Sequence, residues 1–397
     1  VQRLRHFLGK DLMNFIKPLS ILAILSVTYA CSHPIEIRGK GAGDVVSYTA
    51  TRDCYLEDYQ QGLTNCSENL VTGAYDETYT AVPRADAQFR RWGNYCDNAT
   101  TNECSFNVTA GVVKKFYFET LPPLQAIFRP KVNTGFKMVS FGHSFFNPMA
   151  MNLEGHAHAA GFTDHETIHF SAGGSNGAPM AFWNNNTVRP QIQAELDSGD
   201  IDLVGMTYYP SYPTIDGYRN WVEYALSKNP DTRFFIALPW NIYPADVTAA
   251  EYESDYDTFH PQISHAFIDT LREEFPGVDF YCIPYGQSAV ELRNLYADGT
   301  LTSNGDVATL QGSANSALFT DNLGHAGDIL IELSSLLWLE AIYGVDLSNY
   351  NYNTGYTTDL KAIASDIIAT HELAYAAPPE TYPDSDDDGI PDRYEAN

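Results

Sequence analysis

Phe136-Lys-Met-Val-Ser-Phe141-Gly142-His143-Ser144-Phe145-Phe146 is the stretch on which the reading of this chain turns. Met138, Val139 and Phe141 form a short apolar run of strand length. It ends in a glycine, a polar residue and a serine, and a helical, alanine-rich stretch then runs from Pro148 to Ala160. A strand that turns into a helix at a serine exposes the hydroxyl at the carboxyl edge of a sheet. The helix N–H groups beside it favour an oxyanion. Taken alone, Gly-x-Ser fits an ordinary turn or capping serine equally well.

Working outward, strand and helix patterns alternate. Thr167-Ile-His-Phe is a second strand, 201–208 a third, 233–240 a fourth and 278–283 a fifth. Helical spacing falls at 188–196, 218–226, 260–275, 288–296 and 325–343. This alternation predicts an α/β fold, a three-layer α/β/α sandwich on a mainly parallel five-stranded sheet, over about 131–372. Ligands in such sheets bind at the carboxyl ends of the strands.

Phe319-Thr-Asp321-Asn322-Leu-Gly-His325-Ala-Gly-Asp328 leads into the last of these helices. A serine hydroxyl is a poor nucleophile near neutral pH; it needs an imidazole as base and a further group to orient the ring. An early serine and a late histidine with a carboxylate beside it meet that need. A helix-capping histidine is the plainer alternative.

Together the two blocks resemble the SGNH (GDSL-like) hydrolases, whose nucleophile follows the first strand as Gly-Asp-Ser and whose acid and base share a late Asp-x-x-His. The resemblance spans about 131–345 and implies a flavodoxin-like sheet, Ser144 as nucleophile, His325 as base and Asp321 as its orienting carboxylate. The chain departs from the family in three places. His143 replaces the aspartate, Asp321 lies four residues before His325 with Asn322 at the usual spacing, and Gly205-Met206-Thr207-Tyr208-Tyr209 lacks the expected asparagine. The resemblance implies an oxyanion donor after the second strand, which the Gly174 loop supplies; Asn176 stands in for the missing asparagine, and Thr207 and Trp240, at the ends of strands three and four, complete the candidate oxyanion and substrate set. Trp183 and Trp240 suit cleft lining and packing about equally. His156, His158, His165 and His169 cluster in sequence, but lack the HExxH spacing of a zinc helix.

Residues 33–120 read differently, as a small all-β module resembling the repeat modules of bacterial surface proteins, with Leu121-Pro-Pro-Leu as linker. Cys54 with Cys66 and Cys96 with Cys104 are expected to form short-loop disulfides in an oxidising compartment, leaving Cys282 reduced in a buried strand. Residues 1–30 read as an export signal: a short basic segment after Met13, then an apolar run over 18–27. Thr28-Tyr29-Ala30-Cys31 resembles a lipoprotein cleavage site with Cys31 as the outer-membrane lipid anchor; plain cleavage after Ala30 is the alternative.

The tail, Asp384-Ser-Asp386-Asp-Asp388-Gly389-Ile-Pro-Asp392-Arg-Tyr-Glu395, has the oxygen-ligand spacing of a Ca2+ loop, with glycine at the sharp turn. It resembles EF-hand loops and the calcium repeats of surface proteins, and a solvated acidic tail is the other reading. With 23 basic against 50 acidic residues and a net charge of −27, nucleic acid is excluded as a partner.

These features and the resemblance imply an exported serine esterase, periplasmic, outer-membrane-anchored or extracellular. It needs no cofactor for catalysis and acts on an ester-bearing polysaccharide or a small ester. A lipid or polyester esterase, and a catalytically retired carbohydrate-binding or adhesion protein, are the rival readings.

Overall fold

A computed structural model of the protein describes residues 31–378, apart from 72, 97, 98, 100, 110–119 and 132. The export signal over 1–30, the Cys31 side chain, the Val113-Val-Lys-Lys-Phe strand and the calcium loop over 384–395 lie outside the described residues.

Five strands form the central sheet: β1 (Lys137–Gly142), β2 (Glu166–Ser171), β3 (Leu203–Thr207), β4 (Arg233–Ala237) and β5 (Phe280–Ile283). Their order is β2-β1-β3-β4-β5 and every pairing is parallel. Successive side chains point to opposite faces of a strand, so each strand feeds two cores. Met138, Leu203, Phe235, Ala237 and Tyr281 pack on one face, against α1 (Asn147–Ala159), α6 (Asp328–Tyr343) and α7 (Leu360–Thr370). Val139, Phe141, Val204, Met206, Phe234 and Ile236 pack on the other, against α2 (Asp216–Lys228) and α4 (Ala266–Glu274). Apolar residues on both faces are what a parallel sheet covered by helices requires. The α/β sandwich read from the sequence is the observed fold.

One helix differs from its expected form. The pattern over 260–275 suggests a single amphipathic helix, but the structure has α3 (Ala249–His260), a π-helical turn (Pro261–His265) and then α4. α3 starts at a capping box in which Thr248 and Glu251 satisfy each other's backbone N–H groups. Pro261 has no N–H to give, and the ladder widens where that donor is missing. α5 (Gln287–Ala297) follows β5.

The N-terminal residues form two further three-stranded sheets. Leu124–Pro130 lies between Ile35–Arg38, to which it is parallel, and Ala87–Gly93, to which it is antiparallel. The Leu121-Pro-Pro-Leu124 stretch read as a linker therefore enters the middle strand of a sheet, and Leu121 and Leu124 are buried. Gly43–Ser47, Tyr75–Pro83 and Glu103–Val108 make the other sheet. Trp92 is a core residue, and both expected disulfides, Cys54–Cys66 and Cys96–Cys104, are present.

These sheets dock on the amino-terminal end of the central one. Arg129 pairs with Asp231 at 2.8 Å, Arg90 with Asp279, and Arg38 donates to the Lys228 carbonyl at 2.9 Å. A cavity of about 300 Å3 lined by Lys40, Arg129, Asp202 and Arg233 lies along this seam. The carboxyl-terminal edge, where Ser144 stands, is left open.

Candidate active site

Ser144 follows β1 directly and is half-buried. Phe146 and Asn147 both donate their N–H to the His143 carbonyl, at 2.9 and 3.0 Å, so the chain coils into α1 immediately past the serine. Among the described residues no acceptor takes the Ser144 N–H. An unengaged backbone donor beside a serine hydroxyl is of the kind that can receive a developing negative charge.

His143 stands where a carboxylate is usual in the resembling family, and its surroundings explain how the chain tolerates it. The ring is buried; its Nε2 lies 3.0 Å from the Tyr208 carbonyl and so donates, leaving Nδ1 to accept the Phe145 N–H at 3.3 Å. Burial, with His325 nearby, pulls its pKa down to about 4 against the opposing effect of the Tyr208 bond. His143 is a neutral strut between the ends of β1 and β3.

His325 comes from a tight excursion between the short strand Ala317–Phe319 and α6. The excursion is closed by Thr320 N–H to His325 O at 2.7 Å and Gly327 N–H to Leu318 O at 2.8 Å. Gly324 sits at φ +102°, and a Cβ there would meet Pro244 Cδ at 2.9 Å, so glycine is needed at the bend. Asp321 organises the turn from inside. Its Oδ1 accepts the N–H groups of Gly324 (3.0 Å) and His325 (3.1 Å), which leaves Oδ2 to take the His325 Nδ1–H at 2.6 Å. The opposite ring nitrogen, Nε2, is 2.7 Å from Ser144 Oγ. Burial pushes the Asp321 carboxyl up, but the bonds from the His325 ring and the two backbone N–H groups outweigh it and hold it below the usual range. Asn322 is exposed and accepts only from Gln311, at 3.4 Å. The four-residue spacing therefore puts Asp321, and not Asn322, on the imidazole.

The remaining sequence-derived residues fare unequally. Gly174 and Asn176 lie on a short 3-10 turn after β2, and a Cβ on neighbouring Gly177 would meet the His143 N at 2.6 Å, so this loop abuts the serine turn. Gly174 has φ +54°, Asn176 is exposed, and among the described residues nothing accepts the Gly174 N–H. Thr207 is corrected: it is fully buried, and its hydroxyl donates to the Ala237 carbonyl across the sheet at 3.1 Å instead of facing a substrate. Of the two roles open to Trp240, packing is the one observed. It is 2% exposed and lines no open cleft. It stacks on Phe145 (centroids 5.3 Å apart, 18° between planes) and donates to the Gly324 carbonyl at 2.8 Å. Phe145 in turn meets the His325 ring edge-on at 5.0 Å. Trp240 and Phe145 thus buttress the His325 ring and its turn. Sequence reading missed Phe145, although its place directly after the serine is a signal of contact with the His325 ring.

The clustered histidines disperse. His158 bonds to the His165 carbonyl, His165 to Tyr343 and Thr167, His169 to Ser140 and Asn147, and His156 faces Tyr350 and Glu332.

The serine, histidine and aspartate stand at an open rim. The Asp321 side chain is 47% exposed and that of His325 32%. Exposed Leu323, Ile242 and Tyr243 flank the turn on one side, with Leu323 O accepting the Tyr243 N–H at 3.2 Å. Half-buried Tyr209 stands on the other side, against His143 and Gly174. Tyr243 has φ +59°, a left-handed conformation that costs a tyrosine and recurs at functional loops.

No family model matches the chain, and no curated protein matches it. Among solved structures it is similar to the periplasmic domain of a lipopolysaccharide acetyltransferase of Salmonella ser. Paratyphi A, at 14% identity and a TM-score of 0.28, covering 40% of this chain and 70% of that one. A likeness this slight says nothing of activity.

Proposed function

We propose that this protein is an exported serine esterase of the SGNH type that removes O-acetyl or similar ester groups from a polysaccharide. The observation that carries the reading is the unbroken chain Ser144 Oγ to His325 Nε2 (2.7 Å), His325 Nδ1 to Asp321 Oδ2 (2.6 Å) at the carboxyl edge of a parallel sheet. With the Nδ1 proton held by a carboxylate, Nε2 is the acceptor and takes the serine proton as Oγ attacks the ester carbonyl. The Asp321 charge stabilises the imidazolium so formed. The N–H groups of Ser144 and Gly174 receive the oxyanion, a pair of backbone donors that removes the need for a side-chain amide after β3. His325 then gives that proton to the departing sugar oxygen, which leaves as a hydroxyl, and water, deprotonated by the same imidazole, attacks the acyl-enzyme and releases the acid.

An open rim with tyrosines on either side favours a bulky glycan over a small ester, since aromatic faces stack on sugar rings. Exposed Ile242 and Leu323 lend some support to an apolar polyester or lipid instead. Release of acetate from acetylated polysaccharides, compared with release of fatty acid from long-chain esters, separates the two. Acyl-chain preference that rises with length would reject the polysaccharide reading. Export is supported by the two disulfides, which persist in oxidising compartments. No helix of the described residues is long and apolar enough to cross a membrane.

A further inference from the structure

A second group of reactive side chains sits at the far edge of the sheet, where β5 meets the π turn and the end of α7. The donor atoms of His265, Cys282 and His371 all lie within 4.8 Å of one another. Cys282 Sγ and His371 Nε2 are 3.6 Å apart. The ring of His260 adjoins them, its centroid 5.3 Å from that of His265 and 6.2 Å from that of His371. The Nε2 atoms of His260 and His265 are both buried with no hydrogen-bond partner. Two orphaned imidazole nitrogens in one place are a cost that a fold does not ordinarily carry. Histidines five apart lie on different sides of an α-helix. The wider i→i+5 turn over Pro261–His265 brings His260 and His265 round to the same side.

We propose that His265, Cys282 and His371 bind a zinc ion, with the His260 imidazole as the fourth protein donor. The donor set is one sulfur and imidazole nitrogens, which suits Zn2+ and not the oxygen-seeking Ca2+ or Mg2+. Tetrahedral zinc with bonds of about 2.0–2.3 Å needs ligand atoms roughly 3.5 Å apart. The Cys282–His371 pair already meets that, His265 needs a shift of about an ångström, and the His260 ring, whose centroid lies 5.3 Å from that of His265, must turn in to complete the set. Glu372 Oε1 lies 3.8 Å from His265 Nδ1, the side away from the orphaned Nε2, as a carboxylate that orients a metal-bound histidine does. A cavity of about 310 Å3 lined by His260, His265, His371 and Glu372 gives the ion access. The ion would tie β5, the π turn and the chain after α7 together, three segments distant in sequence. Its place at the sheet's outer strand, two strands beyond β3, keeps it apart from Ser144.

The test uses the full chain, stripped of metal, in excess Ca2+ so that the acidic tail is occupied. Added Co2+ should give intense near-ultraviolet absorption from thiolate-to-cobalt charge transfer, saturating at one equivalent and bleached by one equivalent of Zn2+. Cys282→Ser should lose that band, His371→Ala should weaken Co2+ affinity by a hundredfold or more, and Glu372→Gln by about tenfold. Hydrolysis by Cys282→Ser should stay near that of the native protein. The proposal fails if the native chain shows no such band, or if the band survives in Cys282→Ser. Since the first readout needs no variant, misfolding of a mutant cannot mask the answer.

Discussion

Replacing Asp321 by asparagine probes the turn at its most informative atom. Oδ1 is committed to the Gly324 and His325 N–H groups at 3.0 and 3.1 Å, and only a carbonyl-type oxygen can stay there. The new amide must then place its NH2 against His325 Nδ1, where the carboxylate now accepts at 2.6 Å. Facing a donor, Nδ1 has to become the acceptor, the proton moves to Nε2, and the imidazole can no longer take the Ser144 proton. Loss of the tautomer in a buried triad costs about 10⁴ in turnover, roughly 5.5 kcal/mol of barrier. Here the carboxylate is 47% exposed and water screens it, so the expected loss is about 10² to 10⁴. The assay is steady-state hydrolysis of an aryl acetate, with the melting temperature as a check on folding. His325→Ala should be at least as damaging and the double variant little worse, because members of one relay are not additive. Asn322→Ala, which forfeits only a 3.4 Å contact with Gln311, should stay within about threefold of the native rate. Near-native turnover in Asp321→Asn beside a crippled Asn322→Ala would refute the assignment.

Trp240→Phe keeps the stack on Phe145 but loses the Gly324 bond, so kcat should fall several-fold, whereas Trp240→Ala should also lower stability by about 3–5 kcal/mol, read by urea unfolding. Glu340 is raised to about 7, chiefly by burial. A carboxyl whose folded pKa lies above its unfolded value stabilises fully below the latter and loses that contribution as pH climbs through the former. The melting temperature of the native protein should therefore drop between about pH 5 and 8 relative to Glu340→Gln; parallel curves would reject this. Isothermal titration should detect Ca2+ binding to the full chain that is lost on truncation after Pro383, and identical heats would reject a calcium loop formed by Asp384, Asp386, Asp388, Asp392 and Glu395.

Much of this was legible in the sequence because the signals were local. Apolar strands of five or six residues alternating with helical spacing define a parallel sheet, and both the serine turn and the His325 turn lie at junctions that such a sheet places on one edge. The disulfides joined cysteines close in sequence. What escaped was decided by contacts between distant segments. Thr207 ends one strand and Trp240 follows another, where substrate-facing residues are common, but one hydroxyl is engaged by the next strand and one indole by the turn that carries His325. The expected single helix over 260–275 hides a π turn because periodicity is blind to a missing proline N–H. Cys282 reads as one more buried strand residue until the fold brings His265 and His371 beside it.

The central claim is that Ser144 is an activated nucleophile, and a fluorophosphonate probe tests it without knowledge of the substrate. Native protein should be labelled at one site, mapped to Ser144 by peptide mass spectrometry. Ser144→Ala should show no labelling while its melting temperature stays nearly unchanged, since a half-buried hydroxyl with one histidine partner contributes little to stability. A native protein that is inert to the probe, or a Ser144→Ala variant that is still labelled, would contradict the account.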